Sequence, residues 1–358
     1  MEFFKNVLGI VSDEDLLTTG FQVTRPNDPI DGLFDDESTE NLVARWNYIA
    51  NEFQIPQMAQ FHAFDTKTQK SLRAPIDERN VEKGLIKSKR NTSELLYELT
   101  KNGVRTEAEL YDYVMNDINA LTDEVVTRTK VAKNELLATG KVTIKENDLD
   151  LTVDYGVPAA HTSLNLDFGA GAAKALPDQI QDIVDMAADT GVELNGIVCA
   201  RSVLSKMRQN KEVQKAINGT SMEGVIVSNN DIRAFLDAEY GIGNIVTNDL
   251  SYSVPWTMGS DGRPTVTKKR YFPKDRISFY GTGNSMRLGT GLWGVPPEEQ
   301  VARFEQVAPS GQNPYVYVMQ YAEQDPAVLW TKASALFMPV LFNPDSLYIA
   351  TVTETPGA

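Results

Sequence analysis

A single cysteine, Cys199, and two histidines, His62 and His161, are all that 358 residues supply of the commonest catalytic and metal-binding side chains. One thiol excludes an internal disulfide framework and any zinc site built from several cysteines. Its setting, Ile197-Val198-Cys199-Ala200, reads as a small buried apolar position. Neither histidine sits in a motif, so no set of nucleophile, base and orienting group can be assembled. Positive charge is also short: 34 Lys and Arg stand against 49 Asp and Glu, a net charge of −15 and a pI near 4.7. Such a balance argues against tight, sequence-independent binding of nucleic acid, which depends on cations neutralising phosphates. The acidity reads first as a solvated, soluble surface. Long apolar runs are missing too, since the longest, residues 333–342, contains Pro339 and is too short to span a bilayer. Met1-Glu2-Phe3-Phe4-Lys5 lacks the basic leader and apolar core of a signal peptide. The expectation is a protein of a reducing, cytoplasm-like setting with no membrane contact.

Fragments of binding motifs occur but are incomplete. Gly281-Thr282-Gly283-Asn284-Ser285-Met286 follows a strand, yet Met286 replaces the third glycine of a dinucleotide fingerprint and Arg287-Leu288-Gly289 reads as another strand. Gly169-Ala170-Gly171-Ala172-Ala173-Lys174 lacks the ending of a phosphate loop and reads as a flexible lead-in to a helix. Asp35-Asp36-Glu37 lacks the glycine turn and ligand spacing of a calcium loop, so it reads as a solvated acidic run. No cofactor and no metal are expected.

What is present is one long helix. Thr106 stands three residues before Glu109, the spacing of a capping box. Apolar residues recur at Leu110, Val114, Ile118, Leu121, Val125, Ala132 and Leu136, keeping to one face, and Gly140 supplies the stop. The rod is roughly 50 Å long at 1.5 Å per residue. Its polar face carries Asp112, Asn116, Asp123, Arg128 and Lys130, with Glu124 and Arg128 at favourable i,i+4 spacing. A single apolar stripe predicts a spine lying across something flat.

Residues 1–40 form a polar leader with little to bury, which tends to disorder when alone. A short helical pattern follows at Leu42, Val43, Trp46, Ile49 and Phe53. Residues 57–64 alternate in part, as a strand does, and from Ile55 to about Arg90 charge is dense and apolar residues are sparse. This predicts a two-stranded excursion, either a surface loop or an arm stabilised by a neighbouring subunit. After the spine, strands at 141–144 and 149–155 flank Glu146-Asn147-Asp148, a hairpin with one buried face. Between 161 and 300 the pattern is compact α/β, with buried strands at 197–200, 225–227 and 277–280 and a hairpin turning at 259–262. Strand patterns return at 315–321 and 347–352.

The order of these parts resembles the lambda-like major head protein E family of tailed-bacteriophage major capsid proteins, which have the Hong Kong 97 fold. Leu136-Leu137-Ala138-Thr139-Gly140-Lys141-Val142-Thr143-Ile144, running on to Leu151–Gly156, is similar to that family's passage from spine helix into long hairpin. Tyr271-Phe272-Pro273-Lys274-Asp275 and Arg287-Leu288-Gly289-Thr290-Gly291-Leu292-Trp293-Gly294 resemble its late axial segment. Gln324-Asp325-Pro326 and Ser334–Asp345 resemble its C-terminal return. The resemblance covers about 55–355.

It implies an α+β fold with an N-terminal arm (1–54), an extended loop (55–95), a peripheral domain with the spine helix (96–160), an axial α/β domain (161–307) and peripheral return strands (308–358). The implied protein is not an enzyme. It is a major capsid protein that self-assembles as hexamers and pentamers into an icosahedral shell around double-stranded DNA, held without sequence-specific binding. It would assemble in the host cytoplasm with scaffold, portal and possible decoration proteins and end in the virion capsid. A nanocompartment shell of the encapsulin type, enclosing an enzyme cargo, is the alternative, and a soluble α/β enzyme formed by 161–300 is the reading from another class. Subunit contacts are expected from the extended loop at Phe61, Phe64, Arg73, Pro75, Ile76, Asp77 and Arg79. The core face of the spine is expected at Leu110, Val114, Ile118, Leu121 and Val125.

Overall fold

The computed structural model describes residues 28–92 apart from 56, 63, 65, 66, 68 and 69, then 107–219, 227–259, 263–283, 287–301, 306–310, 313–324 and 327–356. Strands β1 (Phe34–Ser38), β2 (Val43–Tyr48), β3 (Asp77–Glu82) and β4 (Gly84–Thr92) come first. The helix α1 (Glu107–Thr139) leads into the hairpin β5 (Lys141–Glu146) and β6 (Leu149–Asp154). Next come α2 (Ala159–Thr162), β7 (Leu164–Asp167), α3 (Leu176–Asp189), β8 (Gly196–Cys199), α4 (Arg201–Gln209), α5 (Lys211–Asn218), α6 (Asn229–Tyr240) and β9 (Asn244–Thr247). A narrow ribbon holds β10 (Ser251–Ser253), β11 (Thr257–Met258), β12 (Pro264–Thr265) and β13 (Lys268–Arg270). The chain closes with β14 (Arg276–Tyr280), β15 (Gly289–Gly294), β16 (Gln306–Ser310), β17 (Asn313–Gln324), β18 (Ala327–Leu341) and β19 (Leu347–Thr353).

Two sheets organise these elements. The larger is six-stranded, β1-β15-β18-β17-β16 with β4 also on β18. The smaller is five-stranded, β7-β19-β14-β8-β9. At 15 residues β18 is long enough to pair with β4 over Leu329–Phe337 and with β15 over Leu336–Leu341. Helix α1 lies across β18 and β4, and Val114, Ile118, Leu121, Val125 and Leu136 on its stripe are all buried. The side chain of Leu110 and the Thr106 cap lie outside the described residues, as does the leader before Asp28.

The spine is not amphipathic to its end. From Ala132 to Ala138 nearly every residue is buried, Lys133 and Asn134 included. The smaller sheet covers this third from the other side, where Ser278 on β14 donates to the Leu137 carbonyl at 2.6 Å. The helix stops where Gly140, at φ +72°, returns its N–H to the Leu136 carbonyl at 2.8 Å. A side chain is disfavoured at that φ, and a Cβ there would also press on Val157 at 3.0 Å. Glu124 and Arg128 do not pair along the helix: Glu124 meets Arg90 on β4 at 2.6 Å and Arg128 meets Glu146 on β5 at 3.1 Å.

Other expectations need correction. Residues 43–48 are strand, not helix, with Ala44 and Tyr48 buried and Trp46 half-buried between them; their spacing also fits a helix, but pairing with β3 decides. Residues 84–92, expected in the extended loop, are built into the larger sheet, which leaves β3 as the only strand described between 55 and 82. The described residues from 57 to 64 form no strand. Strand 347–353, expected among peripheral strands, lies inside the smaller sheet beside β7 and β14, whereas β15 from the expected axial range pairs in the larger one. The hairpin after the spine turns at Asn147 and Asp148, both at positive φ. It buries only its base: Val142 is enclosed, but Leu149 and Leu151 are exposed because β5 packs on α1 and β6 lies outside it.

The remaining motif fragments have structural roles. Gly169 and Gly171 are not a loose lead-in, since a Cβ on Gly169 would fall 2.0 Å from the Thr355 carbonyl oxygen. Asp167 fastens both chains there, accepting from the N–H groups of Gly169 and Thr355 at 2.9 Å each. The acidic run is not simply solvated: it forms edge strand β1, in which Asp36 pairs with Lys133 at 2.9 Å and Asp35 with Arg287. Among the described residues no cluster of His, Cys, Asp and Glu could hold a metal ion.

Candidate subunit-contact surface

The extended loop carries apolar side chains that no described residue covers. Phe61 and Phe64 are fully exposed, and Met58, Leu72 and Ile76 are more than half exposed. Arg73, Pro75 and Asp77 are exposed as well. Scattered exposed apolar residues need no explanation, but a concentration of them in one segment marks an interaction surface. Arg79 differs from the rest, being half-buried with its guanidinium 5.5 Å from the Tyr48 ring and close to Gly156. It packs within the β2–β3 pair and toward Gly156.

The base of the loop is fixed. Between β3 and β4 the ammonium of Lys83 is buried, donating to the Thr39 carbonyl at 2.8 Å, the Thr39 hydroxyl at 2.7 Å and the Trp293 carbonyl at 2.8 Å. Burial lowers its pKa, and three acceptors match its three donors. On β2 the Tyr48 hydroxyl donates to Asp345, tying the partner strand of the ribbon to the turn before β19. The loop is thus an exposed, apolar tip on a clamped root.

Two buried polar clusters that the sequence pattern did not reveal join distant parts. Asp28 accepts from Asn134 at 2.9 Å, from Asn248 at 3.0 Å and from the Ile30 N–H at 3.0 Å. Burial raises its pKa, partly offset by these donors. Glu298 accepts from Lys332 at 2.6 Å and pairs with Lys87 at 3.1 Å. Burial alone would push this carboxyl up, but the two ammonium groups hold it down at about 2. Buried polar residues spaced without motif are the signal, and only their partners give it meaning.

Of the cysteine and two histidines, Cys199 and His161 are engaged in packing and His62 is not. Cys199 is fully enclosed, and burial pushes its thiol up to about 12. His161 is stacked 3.9 Å from the Tyr348 ring and its pKa is lowered by burial. His62 is exposed, its Nδ1 3.0 Å from the Gln60 carbonyl oxygen.

A long helix laid over one sheet and capped at its end by a second, helix-covered sheet is the architecture of Hong Kong 97-like phage capsid proteins. A phage-related protein of Bordetella bronchiseptica RB50 superposes with a TM-score of 0.53 at 11% identity, over 94% of this chain and 95% of that one. A capsid subunit of the native GTA particle superposes with a TM-score of 0.50 at 11% identity, over 92% of each chain. No curated protein matches by sequence. The family model described as phage major capsid protein E matches residues 36–352, and the chain belongs to that family. It is a shell-forming structural protein of the virion capsid.

Proposed function

We propose that the subunit assembles as hexamers and pentamers into a closed icosahedral shell around double-stranded DNA, in the host cytoplasm and with scaffold, portal and decoration proteins, and that it has no catalytic role. The observation that carries this reading is the extended loop, whose apolar tip has no cover among the described residues and whose root is clamped by Lys83. Ordering such a segment costs roughly 1–2 kcal/mol per residue for the backbone. A neighbouring subunit supplies the missing burial at Phe61, Phe64, Pro75 and Ile76, while Arg73 and Asp77 set its register. In a closed shell every copy gives and receives one arm, so weak contacts repeat around each capsomer. Replacing residues 57–72 by a short linker spares β2 and β3 and should leave a folded subunit. Electron microscopy of that variant, expressed with its neighbouring genes, should show no closed particles where the wild type forms them. Normal particles would remove the loop from the contact, and particles filled with a protein cargo in place of DNA would overturn the nucleic-acid part.

A further inference from the structure

The ribbon β10–β13 is a second protruding element with no core of its own. Every residue of 251–269 whose burial is described is exposed or half-buried, with Trp256 65% exposed and Val266 49% exposed. Two-stranded ribbons are marginal in water without a third surface. Its root is anchored: Arg270 pairs with Asp249 at 2.7 Å, and Tyr252 lies 5.1 Å from Tyr271. Its outer part presents specific chemistry. The Trp256 indole N–H donates to the Ser253 hydroxyl at 3.0 Å, and Ser253 stands directly across from Lys268. Indole and the Lys268 ammonium therefore share one face of the ribbon, while Lys269, across from Tyr252, belongs to the other face.

An exposed Trp is a common anchor of a protein-contact hot spot, and the lysine beside it gives the patch a positive charge. Nucleic acid fits less well, because sequence-independent binders neutralise many phosphates, of the order of 6–10. In a chain of net charge −15 the most available acidic surface is another copy of itself. The topology offers a place for it. The ribbon leaves from β9, one edge of the smaller sheet, and β7 is the opposite edge, roughly 19 Å away across four strand spacings. Beside β7 lies α3, where Gln179 bonds to Asp167. The outer face of α3 exposes Asp178, Asp182, Asp185 and Asp189. Lys174 meets Asp182 at 2.5 Å, and Gln181 donates to Asp185 at 2.7 Å. Like charges at i,i+3 and i,i+4 destabilise a helix, and acids in its last turn oppose the dipole. External cations would relieve both.

We propose that the ribbon of one subunit docks, through Trp256 and Lys268, on the aspartate face of α3 in the next copy. The inference rests on the shell reading and gives it a head-to-tail contact between smaller-sheet units, the type that closes into rings. The test uses full-length chains and particle yield by sedimentation and electron microscopy, with thermal melting to verify folding. Lys268→Glu should lower the yield about tenfold or more, the effect of weakening one contact by a single decade. Asp185→Lys with Asp189→Lys should do the same, and all three changes together should restore particles. Unchanged assembly of the first variant, or no recovery in the combined one, overturns the contact. Intact assembly with loss of salt-sensitive binding to duplex DNA would overturn it in favour of a nucleic-acid role. A wild-type chain that forms no particle overturns the shell reading itself, an outcome separate from these.

Discussion

Asn248 donates to the side-chain oxygen of Asn134 at 2.9 Å, and through that bond the loop after β9 is fixed to the spine helix. Both amides also donate to the Asp28 carboxylate, so three segments far apart in the chain meet at one buried point.

Removing one member of that cluster leaves the others without partners. Asn134→Leu should destabilise the subunit by about 1–3 kcal/mol, the cost of a buried acceptor left unsatisfied. The loss should be smaller in acid. The Asp28 pKa is raised in the folded state, so its proton binding favours folding at low pH, and that contribution fades as pH rises through the folded value. Urea unfolding at pH 4 and pH 7 measures both effects, and an equal loss at the two values would mean that Asp28 carries no charge penalty.

Glu298 gives the opposite pH dependence. Its folded pKa is held down at about 2 beneath an ordinary 4.5, so its stabilisation is present above 4.5 and is lost as pH falls towards 2. Glu298→Gln should cost about 1.5–3 kcal/mol at neutral pH, the range for hydrogen bonds to charged groups. It should also flatten the stability profile in that acid window. A variant as acid-sensitive as the wild type would place the titrating group elsewhere.

Leu121 is fully buried where α1 crosses the larger sheet. Leu121→Ala should cost about 2–5 kcal/mol through lost burial and the cavity left behind. Chemical denaturation of the soluble subunit reads this directly, and a cost below 1 kcal/mol would show that the site collapses around the gap.

The Cys199 thiol should be inert to maleimide in the folded subunit and react once it is unfolded, since burial pushes its pKa up to about 12. Stoichiometric labelling of native protein would contradict its enclosure.

The parts of this fold legible in sequence are those set by local periodicity. The stripe from Val114 to Val125, the stop at Gly140 and the alternation of 141–155 all follow from neighbours a few residues apart. What escaped reading depends on distant partners. Lys133 and Asn134 look like surface residues until Asp36, Asp28 and Asn248 are placed beside them. Residues 43–48 fit a helical spacing, and only β3 decides for strand. Strand 347–353 alternates as expected, but nothing within it says which sheet it joins. The exposed loop was partly legible, because a shortage of apolar residues along 55–90 announces an unsupported segment. That its second half is built into a sheet was not, since β4 is held by a strand more than two hundred residues later.

That long-range dependence has a consequence for synthesis. The strand that covers the spine, β18, leaves the ribosome roughly 190 residues after α1 is complete, a delay of roughly 10–40 s at ordinary translation rates. Throughout that interval the stripe around Leu121 has no sheet to lie on, because β4 alone cannot form one. The nascent chain must therefore keep an apolar helix surface out of reach of its neighbours on the same polysome. For a protein whose mature surface is meant to stick to copies of itself, the order of translation sets the window in which premature association is a hazard.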